Sequence, residues 1–452
     1  MAAGNIWTVN SCAEGVSGSS FSGTLRYAVA NAANTAASIN AADTIDLSAL
    51  PGACNSTITL TTGAISVSQN FLNFKGATGG TTITAKGSPV QDRVVNHIGT
   101  GTLNLTDINV SYGNLVTAGT ARGGGIYSHG SVSLQRSTIS HCAAHSTDIP
   151  NGHAYGGGVF AAHSLSAKYS VISGNTTYAA TRASTGGGVY VHDGIMAKYS
   201  TISGNSAGGL YGSGGGAFVY GNATSSFNTT TISGNTARNI GGLELIGTGT
   251  VTISNSTISG NKATTGTIGG AFSSVPLTVR NSTIAFNTAH LGRVGSAFPF
   301  DYFAPGLALG ADTPITTTLQ STLIANNTYG TASENDISAG DHNKTGNVTI
   351  AGNNNLVRAN FSDITLPAGT LRLSCPLLGP LRDNGGPTKT HALLSYSPGI
   401  DQGNNVATAL NYDQRGSPYA RVDGALADIG AYEVQQADIV FNTGFDGCPT
   451  LY

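Results

Sequence analysis

The sequence predicts an all-β chain: a right-handed parallel β-helix of about ten rungs and three strands per rung, with a helix-containing N-terminal cap and a C-terminal cap module. Three observations predict it. One phrase recurs as STISHC (137–142), SVISGN (170–175), STISGN (200–205), TTISGN (230–235), STISGN (256–261), STIAFN (282–287) and STLIAN (321–326), at steps of 33, 30, 30, 26, 26 and 39 residues. A second phrase keeps step with it: GGGIY (123–127), GGGVF (156–160), GGGVY (186–190) and GGGAF (214–218), weakening to GGLEL (241–245), GGAF (269–272) and GSAF (295–298). Between the two lies a short apolar alternation such as Val132-Ser133-Leu134 or Val251-Thr252-Ile253. β-Branched runs bounded by Gly and Asn read as strands.

Three segments follow in order. Residues 1–56 read as the N-terminal cap, with a strand at Trp7-Thr8-Val9 and a helix over 23–34 whose apolar face is Leu25, Val29 and Ala32. A solenoid end exposes strand edges and core, so such a cover is required. Residues 57–356 carry the β-helix. Residues 357–452 lose the repeat, are denser in Pro, Asp and Arg, and read as a cap or appended module. Within the repeat, Ile139, Ile172, Ile202, Ile232, Ile258, Ile284 and Leu323 point inward and their neighbours outward. Upstream, Arg136, Tyr169, Tyr199, Thr229, Asn255, Asn281 and Gln320 form a bend column suited to left-handed backbone, where stacked Asn amides can bond rung to rung.

Composition excludes several classes. Charged residues are 9% of the 452, net charge is −2 and 63 residues are Gly, so a strong electrostatic bid for nucleic acid is not expected. The 39% hydrophobic content, with strict periodicity, argues for a packed core and not for disorder. No apolar run is long enough to span a membrane. The opening MAAGN lacks the features of a signal peptide, and the reading favoured is an exported protein whose leader precedes this start. Five cysteines are present. Cys12–Cys54 and Cys375–Cys448 would staple the two caps in an oxidising compartment, although five cysteines allow other pairings. Cys142 sits in the column otherwise held by Asn and reads as a small buried residue.

The chemistry-bearing columns are few. Tyr127, Phe160, Tyr190 and Phe218 form an outward aromatic row, broken by Glu244 and resumed at Phe272 and Phe298. Such rings either stabilise the sheet or stack on sugars. Glu244 would suit a general acid if dehydrated. Two residues on lie His129, His192 and Tyr220, with His163 offset and Asp193 after His192. Lys168 and Lys198 stand one rung apart, where repulsion is about 1 kcal/mol in water, a spacing eased by an anion between them. With Tyr169, Tyr199 and Arg136 they offer what a uronate lyase needs: charge neutralisation, proton removal and leaving-group protonation. Aromatic residues Phe298, Phe300, Tyr302 and Phe303 crowd an insertion over 290–316 and read as a recognition loop. No metal-ligand spacing stands out, so no metal or other cofactor is expected; acids are sparse through the rungs, and the spacing does not indicate Ca²⁺. Asp383, His391, Asp401, Asp413, Arg415, Asp423, Asp428 and Glu433 crowd the C-terminal run and read as turn and Arg–Asp pairing chemistry.

The alternating GG and xxGN phrases resemble the polymorphic outer-membrane-protein repeats of bacterial surface proteins. The run from Leu377 through Glu433 resembles the choice-of-anchor Q type module of bacterial β-helix proteins, and WTVNSCAEG with TLRYAVANAAN and DTIDL resembles their N-terminal segment. The resemblance implies a right-handed parallel β-helix that is exported and either displayed or released, without implying one activity.

Three functional readings follow. The first is a monomeric, adhesin-like protein, secreted or on the cell surface. It would bind glycan or protein through Tyr127, Phe160, Tyr190, Phe218 and the 298–303 aromatics. The second is an extracellular polysaccharide-degrading enzyme, a lyase before a hydrolase, using Lys168, His192, Lys198, Tyr199 and Glu244. The third is ice binding by the hydroxyl array Thr138, Thr201, Thr231, Thr257, Thr283 and Thr322, which Val171, Tyr169 and Tyr199 make uneven.

Overall fold

A computed structural model describes residues 4–34, 36–290, 304–330, 333–339, 347–360, 364–405 and 410–435. The chain is a parallel β-helix of about ten turns. Two compact units are distinguished, Met1–Ile195 with Ser203–Gly212 and Ala217–Tyr220, and Met196–Ile202 with Ser213–Gly216 and Gly221–Tyr452.

In the first unit one rung runs Ile126–Ser128 (sheet C), Ser131–Gln135 (sheet A) and Thr138–Ser140 (sheet B). These are the three strands the sequence predicts. Two further strands follow, Ala143–Ser146 (sheet D) and the two-residue Ala154–Tyr155 (sheet E). The next rung pairs with it in parallel, Ile126 opposite Val159, Val132 opposite Leu165 and Ile139 opposite Ile172. All six side chains are buried, and each contributes roughly 2 kcal/mol of apolar burial. The N-terminal helix is Leu25–Asn31, shorter than the predicted 23–34, capped by the Thr24 side chain. It buries Leu25, Ala28 and Val29, close to the expected face. Trp7 donates from its indole to Asp43, which also accepts from the backbone of Asn5 and Ala33. Cys12 and Cys54 are bonded, with Cα atoms 5.8 Å apart. Cys375 is also disulfide-bonded; Cys448, its expected partner, lies outside the described residues.

In the second unit the rungs repeat as Leu243–Gly247, Val251–Ser254, Thr257–Ser259 and Lys262–Ala263, then Ala271–Ser273, Leu277–Arg280, Thr283–Ala285 and Thr288–Ala289. Here the letters of STLIAN mislead by one position. Ile324, not Leu323, faces Ile284, and Asn327, not Asn326, accepts from the backbone and amide of Asn287. The bend residue of that rung is Ser321 (φ 47°) and not Gln320. GSAF is likewise not the phrase in register, because Leu307 and Ala308 lie opposite Ala271 and Phe272.

The bend column is left-handed as expected, with φ of 49° at Arg136, 51° at Tyr169, 53° at Tyr199, 51° at Thr229 and 46° at Asn255 and Asn281. Its asparagines do not form the expected rung-to-rung bonds: Asn255 donates to the Tyr412 carbonyl, and both polar atoms of the Asn281 amide are buried without a partner among the described residues. The bonded amides are instead those of the GN column. In the first unit Cys142 N–H donates to Asn175, whose amide donates to Asn205. In the second, Asn235, Asn261, Asn287 and Asn327 continue the pattern, ending on the Asp336 carboxyl. Burial pushes the Cys142 thiol up to about 12, so it stays protonated and unreactive.

The segment from Leu378 to Val434 packs onto sheet B of the second unit. Leu378, Leu393 and Ile429 join Ala285, Leu323 and Leu356 in one buried cluster. Thr231 donates to the Lys389 carbonyl, Thr257 to Gln414, and Thr283 accepts from the Ala431 N–H. Thr231, Thr257 and Thr283 are buried beneath this segment, and Thr322 is buried with its hydroxyl donating to the Val279 carbonyl, so the expected open hydroxyl array does not exist. The Asp and Arg residues of this segment pair as predicted, Arg415 with Asp413 and Arg421 with Glu433, both pairs fully buried.

Candidate functional site

Sheet C of the first unit turns Ile126, Val159, Val189 and Ala217 inward, so Tyr127, Phe160, Tyr190 and Phe218 face outward in one row. Successive rings are nearly parallel, at 9°, 7° and 5°, with centroids 5.4, 5.2 and 5.1 Å apart. That separation is close to the rung spacing of about 4.8 Å. Each ring therefore stacks on the rings before and after it. Phe160 and Phe218 are only 8% and 9% exposed. The row is not the open stacking platform expected: its faces are occupied by one another, and edges face outward.

Cations close over the row. The Arg93 guanidinium lies 5.1 Å from the Tyr127 ring centroid and that of Arg122 5.7 Å from Phe160. Cation–π contacts of this kind contribute about 0.5–2 kcal/mol. Tyr155, opposite Arg122 in sheet E, leans against Tyr190 with centroids 5.0 Å apart. Beyond the row the register sets His129, Ala162, His192 and Tyr220 in a column, with the His192 and Tyr220 rings 5.1 Å apart. His163 Nδ1 lies 2.8 Å from Asp193, whose other oxygen is 3.7 Å from His192 Nδ1.

These pieces enclose an open groove of about 400 Å³. Arg122 and Tyr155 line it before the ring row, Tyr127, Phe160 and Tyr190 along the row, and His129, Ala162 and His192 after it. Burial raises the Tyr155 phenol, so its hydroxyl stays protonated at neutral pH. Burial first, then Arg182 and Arg122, lowers His153, which stacks on Tyr155. Among the described residues no carboxylate lines the groove. It offers a guanidinium that can meet a carboxylate in two parallel hydrogen bonds, two imidazoles for proton transfer and a neutral phenol as donor.

Of the residues expected to act as catalysts, only His192 lines this groove, together with Tyr127, Phe160 and Tyr190 of the expected ligand-binding row. Lys168 ends strand Ser164–Lys168 with its ammonium 5.8 Å from the Tyr169 ring centroid, and Lys198 ends Gly194–Lys198, 5.1 Å from that of Tyr199. Both stand at the bend between sheets A and B. Glu244 lies in strand Leu243–Gly247, 5% exposed, accepting from the Ser213 hydroxyl, and burial pushes its carboxyl up to about 7. It is dehydrated as the raised value requires, but enclosed. Phe298, Phe300, Tyr302 and Phe303 lie outside the described residues. Arg122 and Tyr155 escaped the sequence reading because they sit on two-residue strands. Their signal was the position before each glycine phrase, in ARGGG and AYGGG. Among the described residues no group of three or more His, Cys, Asp or Glu is placed to hold a metal ion, and no helix is long and apolar enough to cross a membrane.

No family model matches the chain, the repeats and C-terminal run included, and no curated protein matches it. Among solved structures the chain is similar to the crystal structure of pectate lyase Pel9A. The likeness covers 96% of this chain and 97% of that one, with a TM-score of 0.50 and 14% identity. At that identity it shows the parallel β-helix fold alone.

Proposed function

We propose that this chain is an extracellular β-helix protein, displayed or released, that binds acidic polysaccharide in the groove of its first unit. The observation that supports this most is Arg122, an exposed residue whose guanidinium stands beside a groove that no carboxylate lines among the described residues. Uronates carry one carboxylate per sugar, which that guanidinium can pair. The solved neighbour's name, pectate lyase, points to the same substrate class. The edge-on ring row gives the groove a rigid base instead of a stacking face. Equilibrium binding of oligouronates and neutral oligosaccharides, with Arg122→Ala beside the native chain, tests the reading. Arg122→Ala is expected to weaken oligouronate binding about tenfold, and salt to weaken it further. Failure of every oligouronate to bind, or binding indifferent to Arg122→Ala, would falsify it.

A second reading, an acidic-polysaccharide lyase, is favoured by His129, His192 and Tyr155 lining the same groove. One imidazole takes the C5 proton, its electron pair forms the C4–C5 double bond, the C4–O bond breaks and the Tyr155 hydroxyl protonates the leaving oxygen. The new unsaturated uronate absorbs in the ultraviolet. A lyase shows that absorbance growing with time and loses it in Tyr155→Phe; a binder shows none.

A further inference from the structure

The second unit holds a larger cavity, about 670 Å³. Its floor is the turn between sheets B and D, where Gly234 and Gly260 take φ of 63° and 65°. The same turn position in the next two rungs holds Phe286 at φ 57° and Asn326 at 59°. Side chains are thus accommodated in this conformation, and Gly260 leaves space open: a Cβ there meets nothing nearer than 3.9 Å. An aromatic residue at positive φ is a genuine outlier and costs about 1 kcal/mol or more. Phe286 takes it at the end of the glycine floor, the residue 37% exposed and its ring centroid 4.9 Å from that of His391. Leu378 and Leu381 add apolar lining.

Glu334 supplies a polar demand. Its side chain is 4% exposed and pairs with Arg358 through Oε1, while Oε2 is buried with no hydrogen-bond partner among the described residues. A buried acceptor left unpaired costs about 1–3 kcal/mol, and a ligand that donates to it recovers that cost. A purely apolar ligand would leave it unpaired, and a uronate would bring a second carboxylate beside it. Thr288 and Thr328 add hydroxyls to the lining.

We infer that this cavity binds a neutral sugar unit, whose apolar face meets Phe286 and whose hydroxyl donates to Glu334. The site is separate from the first unit's groove and does not depend on that reading. Calorimetry and saturation-transfer NMR on the full chain, with galactose, arabinose, xylose, glucose and rhamnose and their disaccharides, test it. Two variants are compared with the native chain: Gly260→Asn, which fills the floor with the residue Asn326 already holds in this conformation, and Glu334→Gln. Binding of at least one neutral sugar is expected, abolished by Gly260→Asn and weakened about tenfold by Glu334→Gln, with oligouronate binding unchanged. Glu334→Gln also disturbs the pairing with Arg358, so circular dichroism checks its fold, and Gly260→Asn decides if it unfolds. The inference is overturned if no neutral sugar binds, if binding survives Gly260→Asn within twofold, or if only uronates are displaced by that variant.

Discussion

Ser213 donates its hydroxyl to the carboxyl of Glu244, which burial otherwise dehydrates. Burial holds that carboxyl at about 7, above its ordinary 4.5. The native state therefore keeps a proton that the unfolded chain releases, and stability falls as pH rises from about 4.5 through 7. A shift of this size corresponds to about 3 kcal/mol. Glu244→Gln is expected to flatten that portion of the curve, leaving the variant relatively more stable at pH 8 than at pH 5. Thermal melts of both chains across this range check it; parallel curves would show that Glu244 does not titrate there.

Asn261 stands mid-way in the second unit's ladder, with Asn235 on one side and Asn287 on the other. It accepts from the backbone and amide of Asn235 and donates to the Ile232 carbonyl and to Asn287. Asn261→Ala strands these partners inside the core. Each buried orphan costs about 1–3 kcal/mol, so a loss of about 3 kcal/mol or more is expected. Denaturant titration measures it, and a loss below about 1 kcal/mol would mean that water replaces the amide.

Arg415 lies between two phenol rings, its guanidinium 3.8 Å from the centroids of both Tyr419 and Tyr432, while it bonds Asp413. Arg415→Met keeps volume but leaves Asp413 buried without its cation. The expected destabilisation is about 3–5 kcal/mol. Arg415→Lys should rescue little, because an ammonium cannot stack as a plane. Limited proteolysis of 376–434 in the two variants reads this directly: equal resistance to the native chain would refute the role.

The Cys12–Cys54 disulfide closes a sequence separation of 42 residues. In the chain-entropy account a loop of that length contributes about 4 kcal/mol. Reduction is expected to loosen the N-terminal segment before the rungs. Hydrogen exchange at Ile45 and Leu25, with and without reductant, should show faster exchange only in the reduced chain.

Much of the β-helix was legible because each rung repeats one local solution. An apolar residue inside, a left-handed corner before it and an Asn after it recur until the columns show. The last rung was misread where the letters are ambiguous: Asn326 and Asn327 are adjacent and identical, and only the bond to Asn287 selects the second. The groove was less legible. Its guanidinium and phenol come from sheet E, whose strands are too short to carry a period. The aromatic row was visible, but the orientation of its rings depends on their contact across rungs, which alternation cannot express. The cover over sheet B was invisible for a similar reason, since Thr231 and Lys389 are 158 residues apart.

The amide ladder has a consequence for how such a molecule can change. Consecutive ladder partners are 33 and 30 residues apart in the first unit and 26, 26 and 40 in the second, yet each backbone-to-amide bond is 3.0 or 3.1 Å. The molecule checks its position once per turn and ignores the length of the path between checks. Insertions and deletions in those paths are thus nearly silent to the scaffold. New recognition loops can be gained, traded or lost between one asparagine and the next while the core beneath keeps its register.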